Sequence, residues 1–252
     1  MTNVLITGMS GLIGGLLKDD LTGRDGYRLT ALNRRTVPGI KTYQENICDL
    51  DSIIPAFEDQ DVVVHLAANL GSDKFEDHLT TNVIGTYNVY EAARIAGVKR
   101  VVYASSGMAV GGVEFSSPYK EISEGKYDRV PNNYTLIRPD QTHPSGLYGV
   151  AKVWGEALGR HFSDKYEISV LCVRIGSVTD ENKPLQPRHR SVYLSHSDVC
   201  QILRLCIDAT SHLMYDVFFA TSNNKWTYRD LSHSKKIVGF APEDSADDHF
   251  EL

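Results

Sequence analysis

Residues 1–18 read MTNVLITGMSGLIGGLLK, and in them Gly8, Gly11, Gly14 and Gly15 fall within eight residues, directly after the apolar run Val4-Leu5-Ile6. A turn alone needs fewer glycines. The apolar run reads as a buried strand, and the spacing of apolar residues from Leu12 onward reads as a helix over residues 12–21. A strand, a glycine-rich turn and a helix, in that order, begin a βαβ unit.

The alternation continues outward from this stretch. Residues 4–6, 27–32, 62–66, 100–104, 168–173 and 217–220 read as strands, most of them apolar on both faces as buried parallel strands are. Residues 12–21, 81–96, 148–162 and 198–207 read as helices. The expected fold is α/β, a Rossmann-like doubly wound parallel sheet with right-handed crossovers, ligands at the carboxyl ends of its strands, and a small C-terminal substrate-binding part. Residues 1–252 read as one dinucleotide-binding domain. Within it, residues 111–145 are polar and long for a connection, so they read as a substrate-side flap that works with residues 177–252.

Composition narrows the partners. The chain has 252 residues, 42% of them hydrophobic, enough for one substantial core. A net charge of −6, with no long run of Lys or Arg, argues against nucleic acid. No stretch approaches about eighteen apolar residues and no basic segment precedes an apolar one at the N-terminus. A membrane span and a secretory signal are therefore not expected, and a cytoplasmic location is. Cys48, Cys172, Cys200 and Cys206 show no C-x-x-C spacing, which fits reduced core thiols. No metal site is expected.

Between a strand and a helix, Gly8-x-x-Gly11-x-x-Gly14 acquires a ligand. Gly8 permits the sharp turn, Gly11 lets backbone N–H groups approach a pyrophosphate, and Gly14 lets the helix pack closely on the sheet. At the end of the second strand the sequence is Ala31-Leu32-Asn33-Arg34-Arg35. No carboxylate stands there to accept from a ribose 2′-hydroxyl, and two guanidinium groups suit a 2′-phosphate. NADP is thus favoured over NAD, with solvated loop arginines as the other reading.

Tyr148-Gly-Val-Ala-Lys152 places a phenol and an ammonium one turn apart on one helix face. In a chain with 13 tyrosines that pair alone is weak evidence. Its position is stronger, because the helix follows the flap and Ser105-Ser106 ends the strand before it, so the three groups meet at the sheet edge that also meets the cofactor.

Thr7-Gly8-x-x-Gly11-x-x-Gly14, Asp49, Ala67-Ala68, the run Asn82 to Asn88, Ser105-Ser106 and Tyr148-x-x-x-Lys152 together resemble the extended short-chain dehydrogenase/reductase superfamily, over nearly the whole chain. Arg138-Pro139-Asp140, the run Gly146 to Glu156, Val173 to Ser177, and Leu194 to Asp198 resemble more specifically the uronate dehydrogenases and related archaeal sugar and sugar-phosphate dehydrogenases. The resemblance implies that Tyr148 is the catalytic base, that Lys152 binds the nicotinamide ribose and lowers the Tyr pKa, and that Ser106 holds the reacting oxygen. A free phenol titrates near pH 10, and losing about three units costs about 4 kcal/mol, which an ammonium and an oxidised nicotinamide's positive charge would offset. The implied reaction oxidises a sugar's anomeric hydroxyl to a lactone.

The implied cofactor contacts are Gly8, Ser10, Gly11, Leu12, Ile13, Gly14, Asn33, Arg34, Arg35, Ile47, Asp49, Leu66, Ala67, Ala68 and Asn82, with Tyr148 and Lys152. The implied substrate contacts are Ser106, Gly107, Tyr148, Ser177 and Arg188, the last in the place where uronate dehydrogenases hold a carboxylate. Gly107 stands where those enzymes carry Asn, and Leu70 where they carry a substrate-contacting Ser. His65 is expected to order the loop below the cofactor, and His196 to cap the following helix. Trp154 and Leu158 read as core or as the face of a homodimer or larger homo-oligomer. Two other functions stay open: a nucleotide-sugar epimerase, dehydratase or reductase, which normally has a larger C-terminal domain, and a non-catalytic dinucleotide sensor, which often lacks the Tyr and Lys.

Overall fold

The computed structural model describes residues 1–71 and 73–250. Among them lie seven parallel strands, β1 (Thr2–Thr7), β2 (Tyr27–Leu32), β3 (Lys41–Tyr43), β4 (Val62–His65), β5 (Arg100–Ser106), β6 (Ser169–Ile175) and β7 (Tyr215–Ala220), in the sheet order β3-β2-β1-β4-β5-β6-β7. The helices in chain order are α1 (Leu12–Thr22), α2 (Leu50–Phe57), α3 (Phe75–Asp77), α4 (Gly85–Ala96), α5 (Tyr119–Ser123), α6 (Gly146–Tyr166), α7 (His189–Val192), α8 (His196–Ile207) and α9 (Ser232–Val238).

The two-residue period of a strand divides β1 between two cores. Val4 and Ile6 pack with Leu17 and Leu21 of α1 and with Val199 and Leu203 of α8. Leu5 faces the other way, onto Ile53 and Phe57 of α2, Val89 of α4 and Phe162 of α6. Burying each such side chain contributes about 1.5–3 kcal/mol, which is why the strands are apolar on both faces. The expected doubly wound parallel sheet is the observed one.

Several elements differ from expectation for local reasons. β3 is three residues long at the sheet edge, too short to show a pattern. α2 contains Pro55, which removes a backbone donor, so its helical spacing did not stand out. The helix expected over 81–96 is instead α3, a π-helical turn at His78–Ile84, and α4, ended by Gly97 in the left-handed conformation at φ 72°. Ser195, not His196, caps α8, its hydroxyl accepting from Asp198 N–H at 3.1 Å, while His196 bonds Thr179 O at 2.7 Å.

Residues 111–145 are more ordered than a flap. Val110, Ile122 and Ile137 form a third apolar cluster with Val192, Phe219 and Tyr228, and Ile137 bridges to Arg229 in parallel. This fastens the segment to residues beyond β7 at the carboxyl edge of the sheet. None of the helices of the described residues is long and apolar enough to cross a membrane.

Candidate active site

β1 has β2 on one side and β4 on the other, so the chain leaves β1's carboxyl end in one direction and returns to the other side, opening a crevice there. A cleft of about 930 Å³ occupies it. Its lining includes Gly8, Ser10, Gly11, Leu12, Ile13, Gly14, Asn33, Arg34, Arg35, Ile47, Leu66, Ala67 and Ala68, together with Ser106, Tyr148, Lys152 and Ser177.

A dinucleotide suits the residues present. Gly8 has φ +73°, and a Cβ there would stand 2.8 Å from Ala67 N; a Cβ at Gly14 would stand 2.6 Å from Gly8 O. The backbone thus closes to a distance only glycine tolerates. α1 starts at Gly11 with no side-chain cap, so Leu12 and Ile13 bring uncapped helix N–H groups to the cleft wall, where a pyrophosphate would be held. Asn33 ties the end of β2 to this turn, its Nδ2 donating to Ser10 Oγ and Arg35 O at 2.8 Å each.

Two buried clamps fix the opposite wall. His65 shares hydrogen bonds with Thr7 Oγ1 at 2.8 Å and Thr86 Oγ1 at 3.2 Å, and Ala67 N–H donates to Thr7 Oγ1 at 3.1 Å. His65 therefore orders the loop after β4, as expected, and burial pushes its pKa down to about 3. Asn69 N–H donates to Asn82 Oδ1 at 2.8 Å, and Asn82 Nδ2 donates back to Asn69 O at 2.8 Å.

Ser106 ends β5, while Tyr148 and Lys152 lie on the first turns of α6. Lys152 is 3% exposed; its ammonium donates to Ala104 O at 2.6 Å and lies 5.5 Å from the Tyr148 ring centroid. Burial pushes Lys152 down to about 8, with the Glu156 carboxylate opposing. The phenol of Tyr148 is shifted in the opposite direction to Lys152. Burial pushes its phenol up to about 12, and a hydrogen bond from Ser106 offsets only part of that.

Beneath and beside these groups lies a layer of charge. Glu156 accepts from Arg174 Nε and Nη2 at 2.8 Å each and from Ser105 Oγ, all within the core. Ser177 Oγ is 3.1 Å from His189 Nε2, and burial lowers the His189 pKa.

Four expected contacts stand outside the cleft lining. Asp49 caps α2, its carboxylate accepting from Ser52 N–H at 3.3 Å, and Asn46 occupies the lip in its stead. Asn82 acts one layer down, through Asn69. Gly107 is covered by the Arg229 guanidinium, 2.2 Å from where a Cβ would lie. Arg188 is not free to read an anion on its bidentate edge, because Nε and Nη2 hold Glu114 at 2.7 and 2.8 Å.

Residues 4–195 match the model of the NAD dependent epimerase/dehydratase family. The chain belongs to that family. It is 30% identical over 260 residues to a Haloferax volcanii protein named NAD-dependent glucose-6-phosphate dehydrogenase, covering 96% of this chain and 94% of that one. It is 29% identical to the L-arabinose 1-dehydrogenase (NAD(P)(+)) of the same organism, covering 98% of each. A crystal structure of a mutant uronate dehydrogenase from Agrobacterium tumefaciens complexed with NAD superposes with a TM-score of 0.81 at 28% identity, over 98% of this chain and 87% of that one. The names give NAD or NAD(P)(+), so the NADP preference expected from Arg34 and Arg35 finds no support among them.

This epimerase/dehydratase family member also brings to the site residues that sequence reasoning left unassigned. Glu156 and Arg174 lay inside recognised runs, yet their pairing needs β6 beside α6. Glu114 and Arg229 carried no local signal, since each meets its neighbours only through the fold.

Proposed function

We propose that the protein is an NAD-dependent dehydrogenase that oxidises the anomeric C1 hydroxyl of an aldose, uronate or sugar phosphate to the lactone. One observation carries this reading: Ser106, Tyr148 and Lys152 converge on the cleft wall next to the glycine cradle. Tyr148 Oη takes the proton of the C1 hydroxyl, and Ser106 Oγ donates to the reacting oxygen. Lys152, anchored on Ala104 O, keeps a cationic group under the phenol and would hold the ribose of a bound nicotinamide. A nicotinamide bound there supplies the hydride acceptor and, when oxidised, a positive charge. Tyr148 needs that charge before it works as a base near neutral pH.

The relatives support NAD as the cofactor, and Arg34 with Arg35, both exposed on the rim, would let a 2′-phosphate bind as well. Residues 111–145 and 177–252 form the substrate side of a single functional unit, fastened by the third cluster. Leu147 and Val150 on α6 and Tyr87 and Ile95 on α4 are exposed apolar residues, which suits a homodimer through this helix pair.

The test is formation of reduced nicotinamide from NAD and NADP with aldoses, uronates, hexose phosphates and nucleotide sugars. Tyr148→Phe should cut turnover by roughly 10²- to 10⁴-fold with NAD affinity intact. Unchanged turnover would remove Tyr148 from the role of base. Silence toward every sugar, with NAD bound, would move the protein to redox-neutral nucleotide-sugar chemistry or to sensing.

A further inference from the structure

Glu156 is 4% exposed and Arg174 1%, so their ion pair lies wholly inside the protein. Such a pair adds little stability, because taking both charges out of water costs about what their attraction returns. Its place gives it another use. Glu156 follows Lys152 by four residues on α6, which brings carboxylate and ammonium to one face of the helix, a turn apart. Ser105 and Arg174 stand opposite each other across β5 and β6, and both turn to that carboxylate. Glu156 Oε1 accepts from Ser105 Oγ and Arg174 Nε, and Oε2 from Arg174 Nη2, while Arg174 Nη1 donates to Gln141 O. The carboxylate is therefore fixed in position.

Lys152 needs a fixed anion. Burial pushes its ammonium toward the neutral form, and the Glu156 carboxylate opposes that. The other titratable groups around it bring no negative charge near neutral pH. On β5 the Tyr103 ring lies 4.9 Å from Nζ and on β6 stands Cys172, both raised by burial; on β4 burial holds His65 down at about 3; on α6 the Tyr148 phenol is raised as well. Arg174 is a second cation, already paired with Glu156. An oxidised nicotinamide in the cleft adds a further positive charge, which disfavours the ammonium again.

We propose that Glu156 is a positioning residue for the reaction: its carboxylate, clamped by Arg174 and Ser105, is the counter-charge that lets a cationic ammonium stand under Tyr148 when NAD⁺ is bound. The assignment rests on reading Lys152 as the cation of a sugar-oxidising site. It gives Arg174 and Ser105 the task of holding the carboxylate still, and it makes the buried ion pair part of the reaction rather than of the core.

The experiment reads Lys152 directly, by NMR titration of the whole protein without cofactor, its lysines labelled with carbon-13 at Cε and the Lys152 signal identified by its loss in Lys152→Met. The pH profile of sugar-dependent NAD reduction is measured in parallel. Glu156→Gln should move the Lys152 midpoint, about 8 in the natural protein, down by about one unit or more. The alkaline limb of kcat should move down with it, because both report loss of the same proton, and KM should change less than kcat. Glu156→Asp, which keeps a carboxylate, should restore part of both. If Glu156→Gln does not fold with Arg174 left unpaired, Glu156→Gln together with Arg174→Met removes both charges and should show the same fall. An unmoved midpoint would make Glu156 a packing partner of Arg174 only, whatever happens to the melting temperature. A midpoint that moves while the alkaline limb stays would also overturn the proposal, since the ammonium's charge then plays no part in turnover. A moved midpoint in a protein that reduces NAD with no sugar would overturn the oxidation reading and leave Glu156 as the counter-charge of Lys152.

Discussion

Tyr148 carries a conflict that its partner in the reaction has to resolve. Burial holds the phenol at about 12, whereas a base for an alcohol works best near the operating pH. A positive charge favours the phenolate, so NAD⁺ binding should lower the midpoint. Alkaline difference absorbance between the natural protein and Tyr148→Phe should show a phenolate that appears at lower pH with NAD⁺ than without; coincident midpoints would refute the charge argument. His65 makes a second prediction. Its folded pKa of about 3 lies below the usual 6.5, so under acid the unfolded chain takes a proton that the native ring refuses. Stability should be full above pH 6.5 and fall toward pH 3, by up to about 1.4 kcal/mol per pH unit. Melting temperatures across that window should decline less steeply for His65→Gln. These residues also show where sequence reading stopped. Tyr148 and Lys152 were legible because four positions along a helix fix their relation. The capping role of Asp49 was not legible because Pro55 hid the start of α2, where a carboxylate is engaged by backbone N–H groups. Arg188 was read as free because its partner Glu114 lies 74 positions away.

The strand, turn and α1 act as one part, and two adjacent glycines within it should respond with opposite sign. A methyl at Gly14 would stand 2.6 Å from Gly8 O and Met9 Cα, whereas at Gly15 it would meet nothing within 4 Å. Gly14→Ala should lower the melting temperature and weaken NAD binding at least about tenfold, since it lifts α1 from the cradle that its N–H groups complete. Gly15→Ala should raise stability by up to about 1 kcal/mol, the ordinary helix preference, with NAD binding unchanged. Thermal melts and NAD titration of the two variants decide this; equal responses would show that the close approach at Gly14 is not what matters. At this scale the central strands were legible from their apolar runs. β3 was not, because three edge residues carry no period, and neither was the π-helical turn, whose register depends on Asn82 reaching Asn69.

For the molecule as a whole, the proposed homodimer would form through the apolar side chains left exposed on α4 and α6. Sedimentation should give twice the mass of the 28.0 kDa chain, and Ile95→Arg should return it to a monomer with its fold intact. A monomer in the natural protein would exclude this face as an interface. The sheet order has one more consequence. β1 has β2 and then β3 to one side and β4, β5, β6 and β7 in succession to the other, so every later strand joins an edge made by strands already translated. During synthesis no strand must wait for a partner still inside the ribosome, and none must be inserted between two others. The sheet can lengthen outward at the pace of translation, and each edge exposed along the way, before β3 on one side and β7 on the other, is covered by the next strand to emerge on that side.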